Sequence, residues 1–246
     1  MNSPAALLTA DRLDVRIGSR LLLRQLCLQV RQGERWAVLG RNGAGKSTLL
    51  RQLAGLSQGP APVRLGGTAL SALSPRALAQ QRAFLPSQPR DRFGIAVLHA
   101  VTLAQHRVDD AAAMDCLRRV DAAHLAHRHV LQLSAGERQR VALAQVLAQR
   151  TPLLLLDEPV SFQDPAHQGL VARLLCGLPQ QSIVFAAHDV NWVAHVATHV
   201  LGLVPGGQWI AGPVEQALQA HSLQRLYGCN WQRVPRLDGP DVWLPL

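Results

Sequence analysis

Residues Gly40–Thr48 read GRNGAGKST, a loop of the form G-x-x-x-x-G-K-S/T. It lies between the apolar run Trp36-Ala37-Val38-Leu39 and a helix-like segment from Lys46 to Leu53. Glycines suit a backbone that must curl around phosphate oxygens with no side chain in the way. The bared backbone N–H groups and the positive end of the following helix then hold the anion. On this reading the whole stretch, Gly40, Arg41, Asn42, Gly43, Ala44, Gly45, Lys46, Ser47 and Thr48, cradles a nucleoside triphosphate. Lys46 reaches the β- and γ-phosphates, and the Ser47 hydroxyl binds Mg²⁺.

A second stretch, Leu153-Leu154-Leu155-Leu156-Asp157-Glu158-Pro159, is a short apolar run that ends in two carboxylates. It suits a buried parallel strand delivering acids to the carboxyl edge of a sheet, where ligands bind in open α/β folds. Asp157 is expected to hold Mg²⁺, and Glu158 to polarise the water that attacks the γ-phosphate. Phosphoryl transfer asks little more of a protein than positioning and charge neutralisation.

Composition narrows the field without naming a function. The 246 residues can bury a substantial core, and 48 % hydrophobic with 17 % charged residues argue against disorder. The opening MNSPAALLTADRLD has neither the basic start nor the apolar stretch of a signal peptide. The most apolar long stretch, Ile183–Val204, carries His188, Asp189, Asn191, His195 and His199, and so is not expected to span a bilayer. The four cysteines are scattered and fit reduced thiols. His124, His127 and His129 do not share one helical face, so solvated histidines are expected there rather than a metal site. A formal charge of +9 is compatible with nucleic acid, an anionic surface or a bound polyphosphate. With only 4 % aromatic residues there is no platform for stacking bases, and no nucleic-acid partner is expected.

Strand and helix patterns alternate along the chain. Strands are expected at Leu13–Ile17, Leu26–Val30, Ala83–Leu85, Leu153–Leu156, Ile183–Ala187 and His199–Leu203. Ser74 and Pro75 open a short helix as cap and first helical residue. Residues 89–150 are alanine-rich and read as a helical lobe inserted into a core of about 1–88 and 151–228, with a tail over 229–246. The fold class expected is α/β, a phosphate-loop NTPase core with a mixed, largely parallel sheet and an N-terminal antiparallel β subdomain.

Within the lobe, Leu133-Ser134-Ala135-Gly136-Glu137 contains the capping box Ser134-x-x-Glu137, which starts a helix running to about Gln149. Gly136 leaves its first turn bare for a phosphate. The phosphate loop already surrounds one side of the nucleotide, so Ser134 and Gly136 are expected to meet a γ-phosphate held by another protomer.

Phosphate loop, a lone glutamine, L-S-x-G-E, φφφφDEP and a later histidine, in that order, resemble the ATP-binding cassette (ABC) ATPases of membrane transporters over almost the whole chain. The resemblance implies that Gln88 links the Mg²⁺ site to the lobe and the membrane partner. It implies that His188 contacts the γ-phosphate and that Asp164 runs across a dimer interface. ATP and Mg²⁺ are the implied cofactors. A head-to-tail homodimer, separate transmembrane permease subunits and, indirectly, a periplasmic binding protein are the implied partners, at the cytoplasmic face of the inner membrane. Arg90, Asp91, Arg92 and Phe93 are expected to line a groove for a permease helix.

The chain departs from the family pattern in three places. Ala135 stands where glycine is frequent, Val160-Ser161-Phe162-Gln163-Asp164 replaces the usual T-S-A-L-D, and Ile17 occupies the place of an adenine-stacking aromatic. The passage Leu65–Arg76, the segment Gly212–Leu218 with Leu223–Gly228, and the tail from Cys229 are similar to the importers of metal chelates, with cobalamin ahead of haem and ferric siderophores. An exporter-type ATPase and a soluble relative acting on nucleic acid stay open as alternatives.

Overall fold

The computed structural model describes residues 6–57, 61–89 and 93–246. Strands β1 (Ala6–Ile17), β2 (Arg20–Arg31) and β3 (Arg35–Leu39) lead into the phosphate loop and helix α1 (Lys46–Leu53). Then come β4 (Val63–Leu65), β5 (Thr68–Ala69), α2 (Pro75–Gln81) and β6 (Arg82–Leu85). Three helices follow, α3 (Val97–Thr102), α4 (Asp110–Arg119) and α5 (Ala135–Ala148). The chain returns through β7 (Leu153–Asp157), α6 (Pro165–Cys176), β8 (Ser182–Ala186), α7 (Val190–Val196), β9 (His199–Val204) and β10 (Gln208–Pro213). It finishes with α8 (Val214–Ala217), α9 (Ala220–Tyr227) and a hairpin of β11 (Trp231–Val234) and β12 (Val242–Pro245).

The central sheet has the order β10-β9-β3-β8-β7-β6, parallel throughout except for β10 against β9. All five residues of β7 and of β8 are buried, as a parallel strand covered on both faces requires. Their side chains alternate between two cores. Leu153, Leu155 and Val184 face the one shared with α1 and the N-terminal strands. Leu154, Leu156, Ile183 and Phe185 face the one shared with α3, α4, α5 and the C-terminal elements. The sheet is therefore the wall between two apolar layers, and its loops carry the polar chemistry.

A second, antiparallel sheet has the order β2-β1-β4-β5. Its first two strands are far longer than Leu13–Ile17 and Leu26–Val30. Asp11 and Arg12 are both exposed, and Arg12 (φ 49°) and Gln25 (φ 48°) sit in the left-handed region where the register shifts. These bulges break the period-2 pattern that sequence reading follows, although the ladder continues past them. Ser74 caps α2, its Oγ accepting from the Ala77 N–H at 3.2 Å. Ile183–Val204 folds into β8, α7 and β9, and among the described residues no helix is long and apolar enough to cross a membrane.

Candidate functional site

Strands β3, β7 and β8 end side by side, with Val38 and Asp157 both in register with Ala186. Everything that follows these ends is thereby gathered at one edge of the sheet, the place where open α/β folds bind ligands. The phosphate loop leaves β3 with Gly40, Gly43 and Gly45 at φ 150°, 76° and 103°. At Gly45 a Cβ would also lie 2.9 Å from the Leu22 side chain, so both conformation and packing call for glycine. Gly45 starts α1 without any side-chain cap, which leaves the first-turn N–H groups to an external acceptor. Arg41, Asn42 and Gly43 are exposed, while Ala44 and Thr48 are half-buried.

Lys46 is buried and turns its ammonium into the loop, donating to the carbonyls of Gly40 (2.9 Å) and Arg41 (3.3 Å). Burial holds its pKa below the usual lysine value, partly offset by Glu158 and Asp157. The Ser47 hydroxyl donates to Asp157 Oδ1 at 3.0 Å. Burial pushes the Asp157 carboxyl up, against the bonds from Ser47 and Ser87 and with the Glu158 charge adding to it. Its other oxygen, Oδ2, is fully buried and lacks a well-formed hydrogen bond among the described residues. An anionic oxygen left in that state beside a hydroxyl suits a hard divalent cation. Gln88 is exposed just past the end of β6, the strand that runs parallel to β7.

Glu158 adopts a left-handed backbone (φ 54°), and its N–H donates to Ala186 O at 3.2 Å. Its carboxylate is held at both oxygens, by Ser161 Oγ at 2.8 Å and His188 Nε2 at 2.5 Å. Burial pushes this carboxyl up, yet those two bonds and the charges of His188 and Lys46 outweigh it and leave the pKa low. His188 Nδ1 lies 3.4 Å from Lys46 Nζ, so the histidine bridges the phosphate-loop lysine and the acid. Lys46, His188 and Glu158 thus form one chain of contacts and Ser47 with Asp157 a second, set side by side because Lys46 precedes Ser47 and Asp157 precedes Glu158.

Ser134 and Gly136 stand apart from it. Ser134 is exposed; its Oγ accepts from Glu137 N–H (3.2 Å), and its own N–H donates to Glu137 Oε2 (2.8 Å). These bonds and the Arg128 ion pair hold the Glu137 carboxyl below its usual range despite a little desolvation. Gly136 is small for a reason that sequence reading did not supply. A Cβ there would stand 2.8 Å from the Phe162 carbonyl oxygen, so the glycine admits the turn that follows Glu158.

Asp164 caps α6 by accepting from His167 N–H at 2.9 Å and is also bonded to the His167 ring, whose other nitrogen meets Asp121 at 3.2 Å. Ile17 is 57 % exposed and Phe93 76 % exposed. Arg90, Asp91 and Arg92 lie outside the described residues.

Sequence reading assigned no role to Ser161, Gln139 or Gln163. Ser161 and Gln163 lie in the stretch that departs from the family pattern, and only the turn geometry reveals their contacts. Tyr227, at the end of α9, packs against the core; burial pushes its phenol up to about 12, partly offset by the Gly40 backbone.

The sequence model described as ABC transporter matches residues 23–161. The vitamin B12 import ATP-binding proteins BtuD of Shigella boydii serotype 4 and of Escherichia coli are each 39 % identical over 220 residues, covering 84 % of this chain and 87 % of the relative. Among solved structures, one chain of an ABC transporter assigned to the metal-chelate type, in an inward-facing conformation, has a TM-score of 0.82 at 27 % identity. The superposition covers 98 % of both chains. A bacterial Atm1-family ABC exporter with ATP bound shares the fold, with a TM-score of 0.77 at 22 % identity over 88 % of this chain and 41 % of that one. With its phosphate loop, acidic strand end and capped signature helix set on this sheet, the chain belongs to the ABC transporter family, whose ATP-binding subunits hydrolyse ATP to drive transport.

Proposed function

We propose that this chain energises cobalamin uptake as the ATPase subunit of a metal-chelate importer, working as a single ABC ATPase domain. The observation that carries the chemistry is the pairing of Ser47 with Asp157 beside the chain of contacts from Lys46 through His188 to Glu158. The choice of cargo is supported by the 39 % identity to vitamin B12 import ATP-binding proteins.

In this reading the first-turn N–H groups of α1 and the Lys46 ammonium hold the triphosphate. Ser47 and Asp157 hold Mg²⁺, with Gln88 reaching the same ion from the end of β6. When bound, Mg²⁺ neutralises charge on the phosphate oxygens. Glu158, kept ionised by Ser161 and His188, accepts a proton from the attacking water. His188 exchanges its contact with Glu158 for the γ-phosphate. Ser134 and Gly136 complete the nucleotide site of a second copy in a head-to-tail homodimer. That dimer sits peripherally on the cytoplasmic face of the membrane against permease subunits, which a periplasmic binding protein loads. Phe93, exposed near the start of the lobe, serves as an apolar anchor for the permease.

The test is transport. A strain lacking this gene and any second cobalamin system is expected to lose cobalamin uptake and to recover it with the wild type but not with Glu158→Gln. Normal cobalamin uptake in the deletion strain, with haem or siderophore uptake lost instead, would overturn the cargo and leave the ATPase chemistry untouched.

A further inference from the structure

The turn that carries Glu158 is gripped at both ends by α5. At one end Gln139, 1 % exposed, donates from Nε2 to the Glu158 carbonyl at 3.1 Å. At the other, Gln163, 9 % exposed, donates from Nε2 to the Gly136 carbonyl at 2.9 Å and accepts from Arg140 Nη1 at 3.3 Å. The Gln163 backbone is tied as well, since its carbonyl accepts from Gln168 Nε2 at 3.0 Å. Between these grips, Glu158 and Phe162 both hold left-handed backbones, at φ 54° and 63°. Such conformations in bulky residues persist only where the surroundings over-determine them. The carbonyl of Phe162 comes so close to Gly136 that no side chain fits between. The first turn of α5 and the Glu158 turn therefore cannot shift independently.

The family pattern places leucine at position 163, and a leucine has neither the donor for Gly136 nor the acceptor for Arg140. We infer that Gln163 is a positioning residue that ties the signature end of α5 to the turn carrying Glu158. Through it, seating of a partner protomer's nucleotide against Ser134 and Gly136 is felt at this chain's own carboxylate. Each chain then reads, through one buried amide, whether the site it closes is occupied before its own acid is aligned. The inference rests on the head-to-tail dimer of the proposed function.

The experiment uses the full chain and measures hydrolysis against ATP concentration, together with nucleotide-dependent dimerisation in a Glu158→Gln background. The wild type is expected to respond cooperatively, with a Hill coefficient above unity. Gln163→Leu is expected to bring that coefficient to unity and lower turnover about tenfold, the order expected for one lost buried hydrogen bond. Affinity for a fluorescent ATP analogue stays unchanged, and so does the dimer fraction when Gln163→Leu is combined with Glu158→Gln. Gln163→Glu keeps an acceptor for Arg140 but sets a carboxylate against the Gly136 carbonyl, and it is expected to fail in the same way. Wild-type turnover and cooperativity in both variants would overturn the inference. So would loss of the dimer in the double variant, because Gln163 would then belong to the interface itself. A Glu158→Gln protein, unchanged at Gln163, that stays monomeric with Mg-ATP would instead refute the dimer, and the coupling would fall with it.

Discussion

Helices α1 and α5 both begin on a glycine-bearing motif offered to phosphate, and their first turns use their backbone donors differently. At α1 the capping position is Gly45, which has no side chain to satisfy the turn, and the Lys46 ammonium folds in beside it. At α5 the capping box satisfies two N–H groups within the chain, those of Ser134 and Glu137, and the glycine is packed against the Phe162 carbonyl. The α1 turn is incomplete by itself, with donors aimed at a ligand. The α5 turn is partly closed by its own side chains, and what it still offers outward is the Ser134 hydroxyl proton, left free to donate by accepting from Glu137, together with the N–H groups of Ala135 and Gly136, which have no intrahelical acceptor. One start holds a nucleotide in its own chain; the other is suited to touch one already held elsewhere.

The largest effects should separate holding from chemistry inside the first region. Lys46→Ala removes the buried ammonium, and loss of measurable ATP binding is expected in equilibrium titration. Glu158→Gln keeps the fold of the loop and should bind ATP as the wild type does, while turnover drops by about 10²–10⁴, the usual worth of a positioned general base. Equal loss of affinity in the two variants would erase the division of labour between the loop and the acid.

The second region is tested by assembly. With Glu158→Gln and Mg-ATP, light scattering after size exclusion should show a shift from monomer to dimer. Adding Ser134→Arg puts a bulky side chain on the exposed start of α5 and should abolish that shift without changing the affinity of the monomer for nucleotide. The same dimer fraction with and without the arginine would make the two helix starts alike in function after all.

Legibility in the sequence follows the same contrast. GRNGAGKST and LLLLDEP each carry local signals, glycine spacing and an apolar run ending in acids, and the α/β core around them was readable from those signals. The extent of β1 and β2 was not, because the bulges at Arg12 and Gln25 interrupt the alternation that marks a strand. From sequence the C-terminal hairpin reads only as a tail over 229–246. Its attachment depends on Asn191, which exchanges two hydrogen bonds with the Trp243 backbone (2.7 and 3.1 Å) from a position far away in sequence. Gly136 reads as room for phosphate, and the fold adds a second demand that no local signal carries, the close approach of the Phe162 carbonyl. Ser161, Gln139 and Gln163 gave no signal at all, since their partners are fixed by how a turn folds back on a helix.

The smallest effect concerns Ser161, whose hydroxyl donates to Glu158 Oε2 at 2.8 Å. Burial pushes the Glu158 carboxyl up, and the bonds from Ser161 and His188 more than reverse that, so the acid is ionised at lower pH than an ordinary glutamate. A general base must be ionised to work, so the acid limb of the pH–turnover profile reports this group. Ser161→Ala removes one stabiliser of the carboxylate and none of its desolvation. The Glu158 pKa should rise, the acid limb should move to higher pH, and turnover on its plateau should fall by less than about tenfold. Ser161→Thr retains the hydroxyl and should restore the limb, which a purely structural role for the serine would not require. If the limb stays in place in Ser161→Ala while turnover drops, the serine shapes the turn rather than the acid. The low pKa of Glu158 would then have to be carried by His188 and Lys46.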